Sequence, residues 1–259
     1  MSGDTVYLRG GPDIEALVRA AGLVVEHSPA PAAVIGGLAV TCRLATVHRA
    51  TADVDLVTGE PEVAVGGTSA ADSLVASGVA RRRPGDPPNR VEVAGTRVEI
   101  IETAPLNPAQ AADIEPDMAR LFVLAHRWAL ETATQCTITV RGTDATAVVP
   151  VATPSAIVAM KLHSIQDRHD LAKRASDAWD LYRLLDSNLT DPDFANPLRE
   201  APAGLVPLIE AGIDRLFRQG VTQTRRWIVT YGDPSWPAIA TEEALDQIAD
   251  TFLLTLRRA

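Results

Sequence analysis

The chain has 259 residues, of which 46% are hydrophobic and 22% charged, the balance of a folded protein with a sizeable core and not of a disordered one. Its length exceeds that of an average single domain and predicts one large domain or two lobes. A formal net charge of −9 repels polyanions at long range and excludes non-specific duplex binding as the main activity, while leaving room for a local basic patch.

In chain order, Pro12 and Asp13 open a helix whose apolar positions Ile14, Leu17, Val18 and Ala21 follow the 3.6-residue period, with an end expected near Gly22. The segment AAVIGGLAV reads as a strand that runs into two glycines and then a helix, and VDLVT (54–58) as the next strand. A helix over 69–79 follows. The stretch 81–90, RRRPGDPPNR, holds three prolines and is expected to be a basic loop. VEVAGTRVEII gives two short strands about a Gly95-Thr96 turn. Residues 116–132 predict a long helix, apolar on nearly every side and therefore buried between layers. Strands over 136–140 and 147–151 come next. From Pro154, a good first-turn residue, the pattern is helical to the end, with breaks at Asp191-Pro192, Pro202, Gly220 and Pro234 to Pro237. The expected fold is α/β (α+β), a mixed sheet with helices over 1–150 followed by a helical lobe over 151–259; strand order is not readable from the pattern. No apolar run approaches the ~20 residues of a membrane helix and the N-terminus lacks the apolar core of a signal peptide, so a cytoplasmic location is expected. Cys42 and Cys136 sit in apolar stretches with no CxxC spacing and read as buried thiols.

The sharpest chemistry lies between 34 and 57. Asp53 and Asp55 are two apart on a predicted strand, so both carboxylates project from one face while Val54 and Leu56 face the other. Paired carboxylates suit magnesium, which takes oxygen ligands and is commonly held by one or two carboxylates together with substrate phosphates. Upstream, Gly36 and Gly37 end a strand and begin a helix, where backbone N–H groups and the helix dipole can approach an anion with no Cβ in the way. A phosphate cradle beside a metal site points to nucleotidyl or phosphoryl transfer. Each half alone is ordinary: a DxD at a strand end and a GG at a turn are usually structural.

A second constellation spans 152–185. Lys173, Asp177 and Asp180 stand at i, i+4 and i+7, a stripe that continues into Leu184 at the edge of a buried face; Lys161 follows Ile157, Val158 and Met160 on the preceding helix. The plain alternative is a surface Lys173–Asp177 pair and a snorkelling Lys161. Of 24 basic residues only Lys161 and Lys173 are lysines, so arginine is this chain's ordinary cation and the two lysines call for a reason. His48, His163 and His169 lie near these motifs and read as structural. Arg81, Arg82, Arg83 and Arg90, and Arg225 and Arg226 beside Trp227, are two candidate surfaces for RNA phosphates and bases.

The runs IGGLAV and HRATADVDLV, followed by MKLHSIQDRHDLAKRASDAWDLYRLL, resemble the nucleotidyltransferase superfamily that includes DNA polymerase β and, within it, the AbiEii-type toxin family. The fifteen residues between Gly37 and Asp53 exceed the general superfamily spacing but suit the AbiEii branch, where an arginine and a threonine or serine precede the aspartates, as Arg49 and Thr51 do here. Gly37 stands where many relatives carry a serine. In the second run the matching residues are Lys161, Arg168, Lys173, Asp177 and Asp180. The resemblance implies a third carboxylate on a later strand, for which Glu99 is the candidate and Glu92 and Glu102 the competitors. It further implies that Asp53, Asp55 and Glu99 bind two magnesium ions. Gly36, Gly37, Arg49, Thr51, Lys173 and Asp177 would bind a nucleoside triphosphate, with Lys161 on its phosphates, and Asp177 or Asp180 would orient groups in a cleft that the helical lobe completes. The implied acceptor is RNA, above all the 3′ end of tRNA, with a cognate antitoxin protein as partner. A small-molecule nucleotidyltransferase of the antibiotic-modifying kind and a non-catalytic binding module are the alternatives.

Overall fold

The computed structural model describes residues 4–59, 68–189 and 192–258. They form two compact units, Met1–Pro105 with Ala129–Thr153, and Leu106–Trp128 with Pro154–Ala259.

The first unit is a mixed α/β layer. Its strands are β1 (Asp4–Leu8), β2 (Ala32–Ile35), β3 (Asp53–Gly59), β4 (Ala80–Arg81), β5 (Arg90–Val93), β6 (Thr96–Thr103), β7 (Thr134–Val140) and β8 (Thr146–Val151), in the spatial order β1-β7-β8-β2-β3-β6-β5-β4. Parallel pairs (β1·β7, β8·β2, β3·β6) alternate with antiparallel ones over most of the sheet. Helices α1 (Pro12–His27), α2 (Gly36–Arg43) and α3 (Ala70–Ala76) belong to this unit. The expected mixed sheet with helices is what the chain builds.

Three local expectations are corrected. Helix α1 does not stop at Gly22 but runs on to His27. Gly22 lies against β8, where a Cβ would stand 3.1 Å from that of Ala147, and Val24 beyond it is fully buried, so close packing outweighs the ~1 kcal/mol that glycine costs a helix. The β5–β6 turn falls at Ala94-Gly95, one residue earlier than expected. Both have positive φ, 48° and 81°, and Val93 pairs with Thr96, the backbone that a tight two-residue hairpin requires. Finally, β1 was not anticipated; DTVYL is a short edge strand whose partner β7 comes more than a hundred residues later. The two cysteines are free and buried, and burial pushes the Cys42 thiol up to about 12, which makes it a packing group and not a nucleophile.

The second unit is helical: α4 (Pro108–Ala112), most of α5 (Asp117–Glu131), α6 (Pro154–Asp167), α7 (Leu171–Asn188), α8 (Pro192–Arg199), α9 (Leu205–Ile213), a π-helical turn over Asp214–Gln219, α10 (Val221–Tyr231), a 3-10 turn over Trp236–Ala238 and α11 (Glu242–Arg258). A single boundary near 150 therefore does not describe the chain, because 106–128 groups with the later helices. The reason is visible where α5 meets α6: the Phe122 ring lies 5.0 Å from that of His163. Breaks fall near Pro202, Gly220 and Pro234, while Asp191 lies outside the described residues. A break between α6 and α7 was missed; there Asp170 accepts the Ala172 and Lys173 N–H groups and caps α7. Stacked Trp179 and Trp236 (5.0 Å) and tilted Phe194 and Phe252 (5.9 Å) fill the core.

His126, on α5, is buried and donates through Nδ1 to the Phe122 carbonyl at 2.7 Å. Burial, helped little by nearby His163, lowers its pKa from the usual 6.5 to about 4. The folded protein thus binds fewer protons here than the unfolded chain between these values. Stability is full above pH 6.5 and falls as pH drops toward 4, by about 3 kcal/mol for this group. Urea unfolding at a series of pH values is expected to show that fall, and His126→Asn to flatten it; an unchanged slope in the variant would assign the acid sensitivity to carboxylates.

Candidate active site

On β3, Val54 and Leu56 are fully buried while Asp53 and Asp55 are half-buried on the opposite face. Antiparallel pairing sets Asp55 opposite Ile35, at the end of β2, and the next residue, Gly36, begins α2. Gly36 has φ +67°, and a Cβ there would fall 1.9 Å from Asp55 Oδ2. The carboxylate therefore occupies the space a side chain would take, at the start of a helix with no side-chain cap. Gly37 is also constrained: a Cβ would meet Thr51 Oγ1 at 2.8 Å and Arg49 Nη2 at 2.9 Å. The structure thus brings Gly36, Gly37, Arg49, Thr51 and Asp55 together. It also places a hydroxyl by Gly37 despite the missing serine, since Thr51 Oγ1 sits beside that position, buried and with no hydrogen-bond partner among the described residues.

The fit to a hard cation rests on these donors. Two half-buried carboxylates on one strand face, at a helix start and beside an orphan hydroxyl, would suit one divalent ion completed by phosphate oxygens and water. The third expected carboxylate is less simple. Parallel register puts Glu99 beside Asp55 and Arg97 beside Asp53, yet Glu99 accepts from Arg90 at 3.1 Å and from Asn89 at 3.4 Å. Among the described residues no group of three His, Cys, Asp or Glu is arranged to hold a metal. The two competitors have structural roles: buried Glu92 pairs with Arg81 and Arg83, and Glu102 accepts the Ala70 N–H at the start of α3. Beyond Thr51 and Arg97 opens a cavity of about 520 Å³, bounded by α1, residues 50–52 and the β5–β6 hairpin.

In the second unit the Lys173–Asp177 surface pair does not form. Lys173 is exposed, whereas Asp177, Asp180 and Leu184 turn into the core. Lys161, 5% exposed, places Nζ 2.5 Å from Asp177 Oδ1 and 2.7 Å from Asp180 Oδ2, and Arg168 closes on the other oxygen of Asp177. Two cations and two carboxylates make a charge-balanced set, buried except for the partly exposed Arg168. A lysine, with its compact charge, fits where a forked guanidinium would not. His163 is half-buried against Phe122 with its pKa lowered by burial, consistent with packing.

The arginines of 81–90 are not a free basic patch. Arg81 and Arg83 serve Glu92, Arg82 reaches Asp72 at 2.5 Å and the Pro88 carbonyl, and Arg90 holds Glu99. The pairing of Arg90 with Glu99 and the position of Arg97 beside Asp53 depend on strand register, which a single chain's hydropathy does not carry.

Gly36→Ala is expected to lower stability by about 1–2 kcal/mol from the left-handed backbone alone and to displace Asp55, with transfer falling a hundredfold or more. Gly37→Ala carries no left-handed strain; it meets the flexible end of Arg49 but also the stiff, buried Thr51 side chain, so its cost should be one of packing alone. Thermal melts with transfer assays check both; equal activity in the two variants would remove Gly36 from the site.

The model of the AbiEii family, described as a nucleotidyl transferase toxin of a type IV toxin–antitoxin system, matches residues 20–204. No curated protein matches the chain. Among solved structures, an antigenic nucleotidyltransferase-like protein from Paracoccidioides brasiliensis is similar at 17% identity and a TM-score of 0.47, over 83% of this chain and 93% of that one. No helix among the described residues is long and apolar enough to cross a membrane. With the family match spanning most of the chain and its glycine and aspartate motifs meeting at one strand-to-helix turn, the protein belongs to the AbiEii family of nucleotidyltransferase toxins.

Proposed function

We propose that the protein transfers a nucleoside monophosphate from a nucleoside triphosphate to an RNA hydroxyl, the 3′ end of tRNA being the expected acceptor, with magnesium as the metal. The observation that carries this reading is the close approach of Asp55 to Gly36 at the start of α2, which sets a cation ligand beside an anion cradle. Asp53 and Asp55 would hold magnesium, which when bound supplies Lewis-acid polarisation of phosphate oxygens. The backbone N–H groups at the start of α2, the Arg49 guanidinium and the Thr51 hydroxyl bind phosphate oxygens of the triphosphate. The acceptor oxygen forms a bond to the α-phosphorus, the bond to the bridging oxygen breaks, and pyrophosphate leaves with the electron pair. Glu99, next to Asp55 in register, is assigned the hydroxyl proton. Lys161 is assigned to the triphosphate and Asp177 and Asp180 to its positioning; Lys173 is an outer phosphate contact. A cytoplasmic location and an antitoxin that counters the activity complete the reading.

A small-molecule acceptor is the second reading, and the cavity of about 520 Å³ beside Thr51 and Arg97 favours it. Incubation with each α-labelled triphosphate, magnesium and total tRNA separates the two. Label on the 3′ end of tRNA is expected; label on a small molecule with none on tRNA would replace the RNA reading.

A further inference from the structure

From the second unit alone we infer a subsite for one nucleotide of a single-stranded RNA, a cavity of about 370 Å³ between the end of α6, α7, the π-helical turn and α10. Its walls include Ile165, Gln166, Arg174, Arg215, Gln223 and Trp227, and no carboxylate lines it, in a chain whose net charge is −9. The Arg174 guanidinium lies over the Trp227 ring at 4.8 Å, donates to the Arg168 carbonyl and keeps a buried Nε without a hydrogen-bond partner among the described residues. Arg215 is exposed and gives one N–H to Gln166, which leaves most of its five donors for a ligand.

The backbone is shaped for this opening. Six residues, Asp214–Gln219, run as a π-helix, a geometry that widens the turn and recurs at functional sites. Gly220 closes it where a Cβ would stand 2.7 Å from the Arg215 carbonyl. Thr224 donates to the Leu216 carbonyl at 2.7 Å, so the wide turn is locked from α10. Beside Trp227, Arg225 and Arg226 have no ion-pair partner among the described residues, in contrast to the arginines of 81–90, which are committed to carboxylates. Guanidinium donors, an aromatic face, apolar walls and side-chain amides together match a phosphate and an unstacked base. Arg174 also ties this cavity to the Lys161 set, because the residue whose carbonyl it grips, Arg168, pairs with Asp177.

The inference rests on the RNA-acceptor reading. Tryptophan fluorescence gives a direct readout, since Trp128, Trp179 and Trp236 are buried and Trp227 is half-buried. Titration of the full chain with oligo(C) and oligo(A) ribonucleotides and with total tRNA is expected to quench Trp227. Arg215→Glu should weaken RNA binding about tenfold and reduce the salt slope by roughly 0.7 for each phosphate that is no longer neutralised. Trp227→Leu should abolish the quenching, and both variants should raise the KM for tRNA while leaving the KM for the triphosphate unchanged. Wild-type RNA binding and labelling retained in full by both variants would overturn the subsite and leave the RNA reading intact. Absence of RNA binding and labelling by the wild type would overturn both. Quenching by polyglutamate equal to that by RNA at one ionic strength would overturn the nucleotide assignment.

Discussion

Asp53→Asn and Asp55→Asn are each expected to reduce nucleotide transfer to background in a protein that remains folded. Asparagine preserves shape and hydrogen-bonding reach but removes the negative charge on which a divalent cation depends. Because both carboxylates are half-buried on the same strand face, loss of one also relieves their mutual repulsion, so the melting temperature should hold or rise. Asp55→Asn carries an additional effect. Its side chain fills the place of a Cβ on Gly36, and exchanging an anion for a neutral amide there removes a favourable interaction with the start of α2, a few tenths to about 1 kcal/mol. The melting gain is therefore expected to be smaller for Asp55→Asn than for Asp53→Asn. Transfer assays with α-labelled triphosphate and thermal melts test both statements, and wild-type transfer by either variant would remove the carboxylate pair from the mechanism.

The largest stability effect is expected at Lys161. Removing its ammonium leaves Asp177 and Asp180, 3% and 0% exposed, with Arg168 as the remaining cation of the set. Breaking a buried ion pair from one side typically costs about 3–5 kcal/mol, and Lys161→Ala adds the loss of its buried stem. Asp180→Ala should cost less, since Asp177 still accepts from Lys161 at 2.5 Å. The double variant Lys161→Met/Asp180→Leu replaces the pair by apolar groups of similar size and should recover most of the stability. Urea midpoints together with transfer rates separate packing from chemistry. Stability regained without transfer supports a lysine that acts on the triphosphate; recovery of both would reduce Lys161 to a structural cation.

How much of this was legible in the chain differs by element. The strand–Gly36–Gly37–helix unit and the face shared by Asp53 and Asp55 follow from alternation and from glycine chemistry, both local properties, and the structure has them at the expected positions. What the alternation did not carry was non-local. Glu99 was singled out through the family resemblance alone; its place beside Asp55, and that of Arg97 beside Asp53, follow from the parallel pairing of β3 with β6, and the commitment of Arg81, Arg83 and Arg90 to carboxylates follows from how the hairpin folds. Helix α1 outlasted Gly22 because Ala147, far along the chain, receives it closely. The stripe of Lys173, Asp177 and Asp180 read as a surface edge, since polar residues usually lie outside; burial of both aspartates became tolerable only with Lys161 and Arg168 from the preceding segment.

The order of strands in the sheet also bears on how the protein is made. Strand β1 is synthesised first, yet it pairs with β7, and β7 is joined to β2 only through β8. The pairs β2·β3, β3·β6, β6·β5 and β5·β4 are available once residue 103 has been translated, so the carboxylate face can assemble while β1 still waits for its neighbour. Lys161 and its aspartates emerge later still. A nascent chain on the ribosome thus carries half of its sheet and both glycines well before the residues of the lysine–aspartate set, and an incomplete copy released early holds Asp53 and Asp55 without the lysine. The two charged sets, each within its own unit, are therefore completed at different stages of synthesis.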